Sequence, residues 1–404
     1  MGKKALVITE VFYPEDFIIN SLVDAWLDEG YELEILTRNP SYPYGKVLQG
    51  YKNSVYNKSI YKNAIIHRFL VIPGYQNSLV LKLLNYINYM FFSFWILLFI
   101  GKRFDKVFIY QTGPLTNAFS PVLLKPLFNY KITIWSQDLW PDTIYAYGLK
   151  KNRLTNFVLI RLVRFIYSGC DTILISCKGF KEKIEELLKK TKPIHWVPNW
   201  PIIDGFSIEK ELLPKGFNFT FAGNIGKVQN LDHVVRAFKL VSAKYPEAFL
   251  NIIGDGSYLE TLKAIIRNED ISNVNFTGRK PVHTMPNYFA ASDVLLISLV
   301  DVPLYEIMIP SKFQTYLTAK KPIFAIMKGE VEKMVKEYNL GFSANPSSVA
   351  EIEACFIRFI NLSKHDMNVL SENSLKLLEK SFSKSTIKKE LDSIFWSNKN
   401  NEYS

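Results

Sequence analysis

The chain has 404 residues, 48% of them hydrophobic, with 49 Lys and Arg against 38 Asp and Glu and a formal net charge of +11. That length suits two domains of ordinary size, and that apolar content is ample for buried cores. Three cysteines (Cys170, Cys177, Cys355) are odd in number and widely spaced, which excludes a disulfide framework and zinc-ligand spacing and fits a reducing cytoplasm.

Lys4 to Thr9 reads as a first strand, entered directly from Met1 with no signal-peptide pattern. A helix over Ile18 to Glu29, with Gly30 just past its end, leads to strands at Tyr31 to Leu36 and Ala64 to Phe69. Leu79 to Ile100 is the most apolar stretch, rich in aromatic residues, interrupted by Asn85, Asn88 and Ser93 and closed by Lys102 and Arg103. Its uninterrupted apolar part is too short to span a bilayer comfortably. Between Glu34 and Asp105 there is no acidic residue, and residues 1–200 hold 25 Lys and Arg against 15 Asp and Glu. Residues 201–404 are nearly balanced, 24 against 23. A basic, aromatic helix in such a field reads as lying in a membrane surface, through Phe91, Phe92, Trp95, Lys102 and Arg103. A core helix covering the sheet has the same composition and stays open as an alternative. Lys150 to Arg153, followed by Leu154 to Tyr167, is a second basic stretch of this kind. No nucleic-acid-binding module accompanies the charge, so nucleic acid is not expected as a partner.

Further strands are expected at Val107 to Tyr110, Lys131 to Trp135, Thr172 to Ser176 and Ile194 to Val197, with helices over Pro114 to Phe128, Leu154 to Tyr167 and Gly179 to Lys190. After a linker at 201–216 the cycle restarts: strand Phe217 to Ala222, helix Leu231 to Ala243, strand Phe249 to Ile253. Strands alternating with helices imply an α/β protein with parallel sheets covered on both faces. Boundaries are expected at 1–200, 201–382 and 383–404, the last piece a helix, Ser383 to Trp396, and a disordered tail.

Two turns stand out. Gly223-Asn-Ile-Gly226 joins a strand to a helix, where glycine lets backbone approach a phosphate closely. The strand-like run Val294 to Val300 leads to Pro310-Ser311-Lys312, where a helix restarts with free N–H groups, a positive dipole end and a lysine. That is a place to hold a diphosphate. The five histidines show no metal spacing, and no Asp-x-Asp follows a strand, so no metal is expected.

The motifs Phe221-Ala-Gly-Asn-Ile-Gly226, Ile253-Gly-Asp-Gly256, Phe276-Thr-Gly-Arg279, Ala291-Ser-Asp-Val294 and Ile309-Pro-Ser-Lys312 resemble the nucleotide-sugar half of family 4 glycosyltransferases. Phe12-Tyr-Pro-Glu15, Trp135-Ser-Gln-Asp-Leu-Trp-Pro-Asp142 and Val197-Pro-Asn-Trp200 resemble its N-terminal half. Within that family the chain is most similar to the WbuB-type transferases of bacterial surface-polysaccharide assembly. The resemblance implies the GT-B fold, two doubly wound, Rossmann-like domains facing a cleft, the first binding the acceptor and the second the nucleotide sugar. It also implies retention of configuration and no cofactor. The donor would be UDP-linked, an N-acetylated and 6-deoxy aminosugar such as N-acetyl-L-fucosamine. The acceptor would be a lipid-diphosphate-linked saccharide in capsule or O-antigen assembly, at the inner face of the cell membrane.

On those motifs, Asp138, Lys312 and Glu306 are the expected catalytic residues. Gly223, Asn224, Gly226, Lys227, Arg279, Ser311, Gln314 and Thr315 are the expected donor contacts, and Asp16, Phe17 and Asn20 line the acceptor side. Trp135 and Trp140 beside Asp138 suggest a sugar platform. The chain departs from the family where many relatives carry an arginine and a lysine, here Asn224 and Gln229. It departs again where two glutamates stand eight apart, here Ile307 and Thr315, or Glu306 and Gln314 when shifted by one. Two rivals share the fold: a UDP-N-acetylhexosamine 2-epimerase, and an inactive member acting as a pathway partner.

Overall fold

Strands made of unbroken apolar runs must be covered on both faces, and the chain supplies a helix after nearly every one. The computed structural model describes residues 4–76, 78–146, 149–188, 190–202 and 213–397. Most of the expected linker and the tail at 398–404 lie outside the described residues. Two compact units result: residues 1–198 with 388–404, and residues 199–387.

The first unit runs β1 (Lys4–Thr9), α1 (Ile18–Asp28), β2 (Glu32–Arg38), β3 (Tyr56–Tyr61), β4 (Ala64–Phe69), α2 (Leu79–Ile100), β5 (Lys106–Gln111), α3 (Phe119–Phe128), β6 (Lys131–Ser136), α4 (Asp142–Ala146), α5 (Arg153–Gly169), β7 (Thr172–Ile175), α6 (Phe180–Leu188) and β8 (Ile194–Trp196). Its sheet has the order β3-β4-β2-β1-β5-β6-β7-β8. In β1, Ala5 to Ile8 are wholly buried, and Val7 pairs with Ile35 on one side and Phe108 on the other. The sheet is parallel except at one edge, where β3 pairs antiparallel with β4 across a two-residue loop. The alternation pattern did not reveal β3: Tyr-Asn-Lys-Ser-Ile-Tyr lies on the rim with its side chains largely exposed.

The second unit runs β9 (Phe217–Ala222), α7 (Leu231–Lys244), β10 (Ala248–Ile253), α8 (Leu259–Asn268), β11 (Val274–Gly278), α9 (Met285–Ala291), β12 (Val294–Ser298), α10 (Pro303–Glu306), α11 (Ser311–Thr318), β13 (Ile323–Ile326), α12 (Glu330–Glu337), β14 (Gly341–Ser343), α13 (Val349–Ile360) and α14 (Lys364–Leu377). Its sheet is wholly parallel, in the order β11-β10-β9-β12-β13-β14. Phe219, Phe238, Phe324, Phe356 and Phe359 pack largely edge to face between β9, β13, α7 and α13 and form the centre of that core.

From Lys388 the last helix, α15 (Lys384–Phe395), belongs to the first unit. Trp26 of α1 holds it there: its indole donates to Asp392 (2.6 Å) and stacks on Phe395 (centroids 5.4 Å). Lys388 bridges Glu29 (2.7 Å) and Asp392, and Lys106 caps the helix by donating to the carbonyl of Phe395 (2.8 Å).

Candidate functional site

In an open α/β sheet, ligands bind beyond the strand C-termini at the point where strand order reverses. In the second unit that point lies between β9 and β12, because the chain moves outward from β9 to β11 and then returns to the other side of β9. The residues following those strands therefore form the candidate site.

Gly223, just after β9, has φ +139°, a conformation that L side chains rarely adopt. Its turn is tied to the next one. Gly223 donates to the carbonyl of Ile253 (2.9 Å) and Ile225 to that of Asp255 (2.8 Å). A Cβ on Gly254 would stand 1.9 Å from the Gly223 carbonyl oxygen, so the two glycine turns pack backbone against backbone. The glycines of Gly254-Asp-Gly256 thus serve this packing.

Lys312, in the first turn of α11, reaches into the Gly223 turn. Its Nζ donates to Oε1 of Gln229 (2.8 Å) and lies 4.0 Å from the Phe221 ring centroid. Burial pushes its pKa down to about 7. One turn along, Tyr316 fixes the helix to the strand: its hydroxyl accepts from the Ala222 N–H (2.9 Å). No side chain caps the start of α11. The site thus combines an open helix N-terminus, a glycine turn and a desolvated lysine, a set that favours an anion such as a diphosphate.

The structure brings Gly223, Gln229 and Lys312 together by these contacts, with Ser311 next to Lys312 at the start of α11. Gly226 precedes a short 3-10 turn, Lys227–Gln229, which the Val300 N–H ties to the end of β12 through the carbonyl of Val228 (2.9 Å). Lys227 is exposed on that turn, and Asn224 is exposed just before it. Gln229, which stands where the family resemblance places a lysine, instead accepts from Lys312, 83 residues on. Gln314 is corrected: it is 1% exposed, with its amide turned to the carbonyls of Pro310 and Ser311, so it packs at the base of its own helix. Thr315 lies at the surface, its hydroxyl on the carbonyl of Ser311 (3.2 Å). Glu306 is exposed at the end of α10, and Arg279 is exposed after the edge strand β11, two strands from β9.

In the first unit the reversal falls between β1 and β5. Asp138 follows β6; burial and then the negative charge of Glu10 raise its pKa to about 7, against the opposing pull of Lys82. It is no helix cap, since α4 begins only at Asp142. The tryptophan platform is a correction: Trp135 and Trp140 are buried, Trp135 donating to the carbonyl of Val197 (2.8 Å). Asp16 is exposed, and Phe17 begins α1 with its ring against Tyr42 (5.2 Å). Asn20 donates to the carbonyl of Glu15 (2.6 Å). Sequence reasoning passed over Glu10 and Arg38, which form an ion pair of 2.5 Å at the ends of β1 and β2; their place after strands was the available signal. Among the described residues no three His, Cys, Asp or Glu cluster as a metal site requires.

Helix α2 has two apolar faces. One is fixed to the sheet: Asn85 bonds the backbone of Ile72 (2.9 and 2.8 Å), Asn88 donates to the carbonyl of Leu70 (2.8 Å) and Tyr89 to that of Thr9 (2.9 Å). The other, Val80, Leu84, Ile87, Phe91 (57% exposed), Trp95 (48%) and Phe99 (82%), is a stripe open to the surface. The helix is long and apolar enough to cross a membrane by length and composition alone, and this face is its exposed one. Phe92 is corrected: it is half-buried and stacks on Phe69 (5.8 Å). Arg103 is exposed but paired with Glu34 (3.0 Å). Ser93 joins α2 to Ser120 of α3 (2.8 Å), and Phe119 of α3 meets Phe165 of α5 (5.5 Å). Exposed Leu123 and Leu127 on α3, and Leu154, Phe157 and Val158 on α5, extend the apolar surface.

Residues 206–376 match the family described as Glycosyl transferases group 1. The protein described as Probable glycosyltransferase WbjE of Pseudomonas aeruginosa is 25% identical over 296 residues, which cover 68% of this chain and 72% of that one. Sucrose-phosphate synthase from Thermosynechococcus elongatus has a similar structure, with a TM-score of 0.70 and 12% identity, covering 98% of both chains. Anabaena HepE in complex with UDP and glucose is similar at a TM-score of 0.68 and 11% identity, covering 97% of this chain and 99% of that one. Residues 206–376 are thus similar to the group 1 glycosyl transferases, and the fold is that of the GT-B glycosyltransferases.

Proposed function

We propose that this chain of GT-B fold is a group 1 glycosyltransferase that moves a sugar from a UDP-linked donor to a lipid-diphosphate-linked saccharide. The observation that carries the reading is Lys312 held against the Gly223 turn at the open start of α11. In glycosyl transfer the sugar carbon becomes cationic and the departing diphosphate gathers negative charge. A cation and aligned N–H groups fixed in advance stabilise that charge without rearranging. Lys312 and the first amides of α11 would do this, with the backbone at Gly223 admitting the phosphates and Thr315 available to a ribose hydroxyl. No cofactor or metal is required. The donor's own phosphate would take the acceptor's proton as the new bond forms on the face the nucleotide leaves, so configuration is retained.

The first unit is proposed to hold the acceptor. The exposed stripe of α2, continued on α3 and α5 and rimmed by Lys102, Lys150, Lys151, Arg153 and Arg161, suits an anionic bilayer surface. A peripheral location on the inner face of the cell membrane follows. Similarity to a protein described as Probable glycosyltransferase WbjE supports glycosyl transfer; the resemblance to WbuB-type motifs favours surface polysaccharide as the product and an N-acetylated, 6-deoxy aminosugar as the unit transferred. The test is a transfer assay with a panel of UDP-sugars on undecaprenyl-diphosphate-linked N-acetylhexosamine in vesicles. Product with one donor supports the reading; absence of turnover with every donor contradicts it.

A further inference from the structure

The face of the first sheet that packs on α15 changes character across its width. At β5, the Phe108 ring meets Phe395 of α15 (centroids 5.1 Å). Phe108 is in register with Thr133 of β6, and Thr133 with Thr172 of β7. Register partners lie on the same side of a sheet, as do residues two apart on one strand. Lys131 therefore shares that side with Thr133. His195 of β8 shares it too, through its register with Leu174, two residues beyond Thr172. Inner strands of a parallel sheet carry apolar residues on both faces. The opposite side of β6 does so, with Ile132 and Ile134 fully buried. The side toward α15 carries a lysine, two threonines and a histidine instead.

These four side chains line one recess of about 340 Å³, walled by Ser393, Ile394 and Phe395 of α15. It lies at the strand N-termini, the end away from the strand-order reversal, and within the first unit alone. Among the described residues, none makes a hydrogen bond or ion pair with the side chains of Lys131, Thr133, Thr172 or His195. The Lys106 ammonium stands at the same recess, on the carbonyls of Phe395 (2.8 Å) and Ser397 (3.1 Å). Asp171, the carboxylate of the lining, is already neutralised: both oxygens accept from Lys125 (2.8 Å each), and one from the Ile132 N–H (2.7 Å). Burial, and then the charge of Lys181, hold the His195 pKa below its ordinary value, so at neutral pH the ring is uncharged and offers one N–H.

The lining selects the ligand class. An ammonium, an imidazole N–H and two hydroxyls are all donors, with a second ammonium at the edge and the carboxylate already paired. A phosphate ester brings three acceptor oxygens and a charge near −2, which such a set can meet; a carboxylate brings only two oxygens and one charge. The volume falls in the range of small-molecule sites and leaves room for an organic group beyond the phosphate. We propose that this recess binds a small phosphate monoester on Lys131, Thr133, Thr172 and His195, and that the bound ester braces the end of α15 against the sheet. The proposal goes beyond glycosyl transfer and does not rest on it.

The test is titration calorimetry on the full chain at constant ionic strength, with and without saturating UDP. The probes are inorganic phosphate, glycerol 3-phosphate, glucose 6-phosphate and AMP. At least one ester is expected to bind, roughly tenfold or more tighter than inorganic phosphate, and to keep its affinity when UDP is present. Lys131 is exposed, so Lys131→Ala is expected to fold, and it should weaken the ester roughly tenfold or more. Thr172→Val, close in shape, removes one donor and should weaken it as a second, independent check. Hydrogen exchange at the amides of 388–397 should slow in the bound state. Binding of no probe, inorganic phosphate as tight as every ester, affinity unchanged in both variants, or binding abolished by UDP overturns the site. Unchanged exchange over 388–397 overturns the bracing of α15. Sugar transfer is not read in any arm, so these failures leave glycosyl transfer standing, and a chain without transferase activity leaves this site standing.

Discussion

A side chain on Gly223 would crowd Lys312: a Cβ built there stands 3.2 Å from the lysine Nζ, close enough to push the ammonium aside. The φ of +139° adds strain for any L residue. Gly223→Ala should therefore cost about 1–3 kcal/mol of stability and displace the cation. A lowered melting temperature together with weaker UDP binding checks this; an alanine variant with both unchanged contradicts it.

The features legible in the sequence were those written in local chemistry. Gly223 and Lys312 sit at strand–turn–helix junctions whose glycine and proline signals are readable one by one. Pairings across long separations were not. Gln229 meets Lys312 through folding alone, and Glu10 meets Arg38 because β1 and β2 are neighbours. The adjacent positions 314 and 315 lie about 100° apart around α11, so only the helix phase could separate buried Gln314 from half-buried Thr315. The same phase separates Phe91 from Phe92 on α2.

Lys312→Ala should cut kcat/KM by about a hundredfold or more, the loss of one charge-stabilising contact worth about 3 kcal/mol. Steady-state kinetics with the preferred donor measures it, and turnover at the unsubstituted rate would remove Lys312 from the mechanism.

Because burial holds the Lys312 pKa near 7, the free site is largely uncharged above that pH. A bound diphosphate favours the charged form, so binding takes up a proton there. UDP-sugar affinity should be greatest below about pH 7 and fall, by up to about tenfold per pH unit, above it. Titration calorimetry in buffers of different ionisation enthalpy reads the proton directly. An affinity flat from pH 6 to 9 would contradict the assignment.

Asp138 shifts the other way. Its raised folded pKa of about 7 means that stability falls as pH rises from the unfolded value toward 7, where the buried carboxyl must ionise. Asp138→Asn should thus melt above the unsubstituted chain at pH 8, with the gap closing toward pH 4. A lower melting temperature at pH 8 would sink this account.

Trp26→Ala should release the end of α15. It removes a fully buried ring, its bond to Asp392 and its stack on Phe395, at about 3–5 kcal/mol. Chemical denaturation gives the figure, and a cost under about 1 kcal/mol would mean that the helix is held by its other contacts.

On the outer face of α2, replacing Phe91, Trp95 and Phe99 with serine should weaken binding to anionic vesicles about a hundredfold or more, since each side chain buries some 2 kcal/mol of apolar area. Vesicle sedimentation reads the change. Equal pelleting of both proteins would show that lipid does not meet this stripe.

The central claim is a donor diphosphate held by a lysine and helix amides in the second unit. Equilibrium titration of the full chain with UDP in the presence of EDTA, beside Lys312→Ala, tests it most directly. Binding by the unsubstituted chain, lost by about a hundredfold in the variant, is the predicted result; no UDP binding without a divalent cation, or equal affinity in both proteins, would contradict it.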